Sequence, residues 1–478
     1  MNSTGSSNRC NPTSGCAGRA ERRQALRFPR DRPSRLGKRR RRCHARRVPR
    51  LPSPLRITGF RAFWFARFAS VMATSGTVVV MGYQIYDVAR GRYGMSIGAA
   101  SFQLGLMGLV QFLPFLVMTP VAGVAADRLD RRLVTAGAMA VDLAIAVLLA
   151  LATAGHRLSL PLLFGLGGAH GVARVFFGPA MSAITPNIVP SDALPKAIAL
   201  SSMAMQAGSI LGPAIAGLVF AIYAPLAYAG AALLLVAALA TMLCLRPLPP
   251  PPGNRRSHPF RMMREGFDYV RHQRFLLGCV TLDLFAVLLG GATALLPVYA
   301  RDLLFWNGAA VGAHGLGLMR AAPALGAALT ALALSRRPLV HDVGAKMLVA
   351  VAAYGAATLA FGLSRNFILS LALLAALGAA DMISVYVRNS LVQLSTPDDR
   401  RGRVSALSGL AVSASNELGE MESGTLAALV GAPAAVVIGG VGAIIVTLVW
   451  AWLFPEIRRA RSFTPQIAPQ IAQSESVL

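Results

Sequence analysis

Twelve apolar runs, each long enough to cross a bilayer, recur along the chain and constrain its fold more than any other feature. A helix rising about 1.5 Å per residue needs roughly 20 apolar residues to cross the ~30 Å hydrocarbon core. The runs lie at residues 60–88, 98–124, 133–154, 160–183, 197–221, 224–245, 275–300, 311–334, 347–363, 367–392, 404–430 and 432–454. Hydrocarbon offers no partner for backbone N–H and C=O groups, so each run is expected as a helix and the chain as an all-α membrane protein. The composition agrees: 478 residues, 55% hydrophobic and 14% charged, are too apolar for an ordinary soluble domain.

A net charge of +27 suggests a nucleic-acid partner until the basic residues are placed on that map. Of 47 Lys and Arg residues, 38 fall in residues 1–61, in the even-numbered turns, or after the last run. The odd-numbered turns hold Arg90, Arg92, Arg157, Arg301 and Arg365, while Arg67, Arg174, Arg320 and Arg388 lie inside runs. By the positive-inside bias both termini are expected in the cytoplasm, with membrane lipid as a partner and no nucleic acid. Residues 1–57, which include "RLGKRRRRCHARRVPR", lack the apolar stretch of a secretory signal and read as a disordered basic tail. Residues 457–478 form a second cytoplasmic tail. Cys10, Cys16, Cys43 and His44 lack the paired spacing of a metal site, and Cys244 and Cys279 lie in apolar runs. No metal, disulfide or cofactor is expected. Nor is an enzyme, because no nucleotide loop or catalytic triad appears.

The chain divides into two parts. Residues 246–274 begin with a polyproline spacer and end in a basic amphipathic stretch, a composition suited to a cytoplasmic linker with a short surface helix. On either side lie six runs, in residues 58–245 and 275–456. Sliding the chain by 207 residues lays "ALSSMAMQAGSILGPAIAG" (199–217) on "ALSGLAVSASNELGEMESG" (406–424). Shifts of 212 and 211 align "GLMG" (105–108) with "GLMR" (317–320) and "TPN" (185–187) with "TPD" (396–398). Parallel six-helix repeats are a transporter architecture, with the substrate site near the midplane where the halves meet.

In the turn after the second run, "GVAADRLDRR" (123–132) resembles the loop signature G-x-L-A-D-R-x-G-R-R of the major facilitator superfamily. Gly123 suits close helix approach, Asp127 can face a helix N-terminus, and Arg128, Arg131 and Arg132 can pair with acidic groups or lipid headgroups; Asp130 stands where glycine is usual. "GSILGPAIAG" (208–217), with Gly208, Gly212, Pro213 and Gly217, is similar to the G-x-x-x-G-P-x-x-G motif of the superfamily's drug:proton antiporters. "FRAFWFARFAS" (60–70), "MREGFDYVR" (263–271) and "TPDDRRGRVSAL" (396–407) resemble the branch of small-molecule exporters that includes the enterobactin exporter. The resemblance implies a major facilitator fold in a bacterial inner membrane, working by alternating access with helices one, four, seven and ten lining the cavity.

Ionisable residues inside the runs are the site candidates, because each charge at mid-bilayer costs about 2.5–3.5 kcal/mol on insertion scales. Arg67 and Arg388 can act in the cavity or snorkel toward the cytoplasmic face; Arg174 and Arg320 lie deeper. His170 and Asp381 occupy equivalent positions under the 211-residue shift, and Asp283 joins them as a proton or cation site. Asp142 reads as structural. "SNELGEMESG" (415–424) puts three glutamates into one run, and Glu420 occupies the position of Pro213 in the other half. Ser413, Glu417, Glu420 and Gly424 share a helical stripe. Such a stripe either faces a water-filled cavity and exchanges protons, or faces a neighbouring helix and is paired with an arginine such as Arg320 or Arg388. The expected function is proton-coupled export of a small amphiphilic molecule, drug or siderophore-like, by a monomer. The alternatives are a carrier of a lipid or nutrient, and a non-transporting sensor or scaffold.

Overall fold

The computed structural model describes residues 54–248 and 259–463. The basic tail up to residue 53, the spacer at 249–258 and the chain from 464 onward lie outside the described residues. The first six runs form α1 (Thr58–Gly91), α2 (Ile97–Arg128), α3 (Arg131–Ala154), α4 (Leu160–Ile188), α5 (Leu194–Ile222) and α6 (Ala224–Leu243). The amphipathic stretch is α7 (Pro259–His272). The seventh run is broken: α8 (Arg274–Leu289) stops at Gly290 and Gly291, and α9 (Leu296–Val298) leads into a π turn ending at Leu303. Glycine costs about 1 kcal/mol against alanine inside a helix. Here its lack of a side chain lets Tyr354 and Ser423 approach the break. After a two-stranded hairpin, β1 (Phe305–Trp306) with β2 (Ala309–Ala310), come α10 (Gly312–Arg336), α11 (Val343–Leu363), α12 (Phe367–Leu394), α13 (Asp398–Val430), α14 (Ala432–Leu453) and α15 (Pro455–Arg459).

Among the described residues eleven helical segments are long and apolar enough to span a membrane. The exception among the twelve runs is α13, whose 33 residues suffice in length but carry the charged stretch. It stays helical because its polar face is covered, with α2, α8 and α14 packed along it.

Contacts within the first half have counterparts in the second. The α1–α5, α2–α4, α3–α4, α3–α6 and α1–α6 pairs reappear as α8–α13, α10–α12, α11–α12, α11–α14 and α8–α14. Between halves, α2 packs on α13 and α10 packs on α5, a reciprocal pair of seams. Two six-helix pseudo-repeats are therefore visible in the packing.

The apolar cores are arranged differently at the two ends. At the end holding the α1–α2 and α3–α4 turns, one core includes residues of both halves, among them Ile85, Leu104, Leu163, Leu296, Leu316 and Ala427. At the opposite, Arg-rich end each half keeps its own: Phe60, Met139, Met181 and Met242 in the first, Leu276, Met347, Leu391 and Ile457 in the second. One end is thus sealed by a core common to both halves, and at the other the halves have separate cores.

Candidate functional site

Glycines bring the seams together. A Cβ built on Gly105 would stand 2.9 Å from the Gly424 Cα, and one on Gly217 would stand 2.6 Å from the Gly317 Cα. These four residues are the ones the sequence repeats align. In α5, Gly208 faces the backbone at Phe68 and Met72, so the antiporter-like motif serves α1–α5 packing as well as the α5–α10 seam. Pro213 lies inside α5 with its carbonyl against Gly317.

One turn further along, the seams differ. Gly108 of α2 faces Glu420 of α13, whereas its repeat counterpart is Arg320. The acidic stripe thus faces a neighbouring helix, with Glu420 in electrostatic reach of Glu417, Arg320 and Arg174. Glu417 pairs with Arg174 of α4, not with Arg320 or Arg388, so the ion pair crosses from one half to the other. Sequence spacing relates residues within a helix or across a repeat and carries no signal for that crossing. The Arg320 Nε is buried without a hydrogen-bond partner among the described residues.

A second cluster sits wholly in the second half. Arg388 pairs with Asp283, their side chains 5% and 8% exposed, so Arg388 does not snorkel: an inward carboxylate holds it. Asp381 lies in the electrostatic field of both, and Tyr354, which donates to the Gly290 carbonyl at 3.0 Å, lies in that of Asp381 and Asp283. In the first half His170 Nδ1 meets Asp142 Oδ1 at 2.7 Å. His170 and Asp381, equivalent under the 211-residue shift, are each engaged inside their own half. Asp142 is the partner that sequence reading left out of the site. Arg67 approaches the Met205 sulfur at 3.5 Å, and no carboxylate is paired with it among the described residues.

The loop signature is anchored within the first half. Arg131 donates to the Ala183 carbonyl at 3.3 Å, and Arg132 to the Leu243 and Leu245 carbonyls at 3.2 and 2.7 Å. Arg132 thus serves carbonyls at the end of α6. Asp130 caps α3 by accepting from the Arg132 backbone N–H at 2.9 Å, a task that glycine cannot perform. Gly123 meets nothing within 4 Å where a Cβ would stand, contrary to the expected close approach. Arg128 is exposed. Asp127 lies in the last turn of α2, and its side chain falls outside the description.

The sealed end holds a cluster that the sequence reading missed. Arg301 pairs with Asp87 at 3.4 Å and Arg90 with Asp302 at 3.6 Å, while the Tyr86 hydroxyl donates to Asp302 at 2.5 Å. Arg90 and Arg301 are equivalent under the 211-residue shift, so two crossed ion pairs straddle the junction between halves. Arg90 and Arg301 had been counted only as loop charges.

Residues 51–470 match the model of the transmembrane secretion effector family. The chain belongs to that family, within the major facilitator superfamily. It is a multi-pass membrane transporter and not an enzyme. It is 28% identical over 426 residues to the enterobactin exporter EntS of Escherichia coli O127:H6, covering 85% of this chain and 94% of that protein. It is 30% identical over 428 residues to EntS of Citrobacter koseri, with the same coverage. Among solved structures, the nucleoside transporter NupG aligns with a TM-score of 0.65 at 12% identity, over 83% of this chain and 99% of that one. A peptide transporter of the POT family in complex with sulfate aligns with a TM-score of 0.61 at 15% identity, over 84% and 96%. These two share the fold.

Proposed function

We propose that the protein exports a small amphiphilic molecule across a bacterial inner membrane in exchange for protons, as a monomer by alternating access. The observation that carries this reading is the cross-half cluster of Arg174, Arg320, Glu417 and Glu420, together with the separate apolar cores of the two halves at the Arg-rich end, between which a cleft opens in this reading. By the positive-inside bias that end is cytoplasmic, with both termini and the 246–274 linker on the same side. The cleft then admits cargo from the cytoplasm, and the sealed end faces outward. Similarity to proteins named as enterobactin exporters supports the outward direction.

Alternating access requires the sealed core to part, and with it the crossed pairs of Asp87, Arg90, Arg301 and Asp302. Carboxylates at seam depth then meet the outer solution. Glu417 and Glu420 can take a proton there and release it to the cytoplasm once the cleft reopens, and Asp381, Asp283 and His170 offer further proton sites. Arg67 and Arg388 supply positive charge to the two walls.

The test is transport in inverted vesicles of defined lipid carrying the whole chain. An imposed pH gradient, acidic inside, is expected to drive accumulation of a fluorescent amphiphile. Glu420→Gln or Asp381→Asn is expected to abolish the gradient-driven component while downhill exchange persists. Full gradient-driven accumulation by the amide variants of Asp283, Asp381, Glu417 and Glu420, and by His170→Ala, refutes proton coupling through this cluster.

A further inference from the structure

Arg174 and Glu417 are unequal partners. The Arg174 side chain is 43% exposed and that of Glu417 is 9% exposed, and the pair is made through Nη1 of the arginine alone. A guanidinium carries five N–H donors in a planar fork. The exposed part of Arg174 therefore holds donors that Glu417 does not occupy. The pair joins α4 of the first half to α13 of the second, and one turn back Gly171 packs on the backbone of Gln111 in α2. The spare donors therefore stand at the junction between the halves.

A guanidinium fork suits the paired oxygens of a carboxylate, phosphate, sulfonate or catecholate. Glu417 is such an oxyanion supplied by the protein itself. We infer that Arg174 recognises an oxyanionic group on the transported molecule, and that Glu417 is the internal ligand this group displaces. The inference rests on the transport reading for the identity of the ligand as cargo, though binding itself needs no transport.

The consequence is a pair of opposite signs. If the ion pair only fastened the halves, removing either partner would weaken ligand binding or leave it unchanged. If Glu417 competes with an oxyanion, Glu417→Gln frees the fork and tightens oxyanion binding, while Arg174→Gln weakens it. A charge-assisted fork makes the Arg174 effect about tenfold or more. Arg174→Lys keeps the charge and the reach toward Glu417 but loses the fork, so its affinity falls between those of the parent and Arg174→Gln.

The experiment is equilibrium binding to the full chain in lipid nanodiscs, with three probes of matched shape: naphthoate, naphthamide and naphthylmethylamine. Naphthoate is expected to bind saturably, at least severalfold tighter to Glu417→Gln and about tenfold or more weaker to Arg174→Gln. The neutral and cationic probes are expected to show no such reversal. If Arg174→Gln does not fold, the lysine variant and Glu417→Gln still decide the sign. Weaker naphthoate binding by Glu417→Gln, tighter binding of the cation than of naphthoate by the parent protein, or no saturable naphthoate binding by Glu417→Gln at millimolar concentration overturns the inference. Failure of the exporter reading shows separately, as absence of accumulation in inverted vesicles by a protein whose binding signs hold.

Discussion

The α2–α13 and α5–α10 seams are built alike for one helical turn and then diverge. Both bring two glycine backbones into contact, Gly105 with Gly424 and Gly317 with Gly217. Beyond that contact the first seam sets Gly108 against Glu420, while Arg320 and Pro213 hold the equivalent places in the second. A duplicated scaffold needs symmetry only where the backbones touch. Charge is free to differ at the next turn, and there the second half has acquired both Arg320 and Glu420, with Arg174 reaching in from the first.

The sharpest break in that comparison is Arg320→Ala, which leaves Glu420 with one fewer cation in a buried setting. Breaking a buried pair by removing one partner costs about 3–5 kcal/mol. A large fall in the thermal midpoint in detergent is expected, whereas Pro213→Ala, on the same seam without a charge, is expected to change it little. Replacing both charges, Arg320→Met with Glu420→Leu, is expected to recover most of the stability; failure to recover means that the two do not act as a pair.

Next in size is the symmetric part. Gly424→Val and Gly217→Val each force a side chain onto an opposing backbone, and overpacking costs about 1–3 kcal/mol. The two losses are expected to agree within about 1 kcal/mol by the same unfolding measurement. A larger disparity would mean that the seams do not carry equal shares of the inter-half contact.

The divergence also marks where the sequence stops being informative. Helix number and the two halves follow from apolar run length and repeats, and Gly105 of "GLMG" and Gly424 of "SNELGEMESG" are opposite faces of one seam. Those features are local or periodic. The Arg174 pair with Glu417 joins residues 243 positions apart in opposite halves, and the His170 pair with Asp142 depends on how two helices rotate against each other. Side-chain partners across helices follow from packing, and one chain's spacing does not encode it. The break at Gly290 and Gly291 hid for a similar reason: the run around it stays apolar whether or not the helix continues.

A smaller effect separates the two ends of the molecule. Asp302→Asn removes the charge of one of the crossed pairs at the sealed end, while the amide oxygen can still accept from Tyr86. Partly exposed ion pairs contribute about 0.2–1 kcal/mol each. A modest, up to severalfold rise in labelling of Leu104→Cys in the shared core is expected, with little change in the unfolding midpoint. The smallest effect is expected from deleting residues 2–50, since the family match begins at residue 51. Membrane insertion and the midpoint should not change; a chain that fails to insert would show that the basic segment contributes to the fold.

The sealed core has an electrical consequence. In the transport reading proposed above, water enters between the separate cores at the Arg-rich end and sits near the potential of that solution, so most of the transmembrane voltage falls across the shared apolar core. In the orientation proposed above, a proton passing from the outer solution to Glu417 crosses most of that drop within a short distance, and the full drop is worth about 2.3 kcal/mol per charge at 100 mV. The carboxylates of α13 thereby lie where the field does most of its work, and proton delivery to them becomes sensitive to membrane voltage as well as to the pH difference.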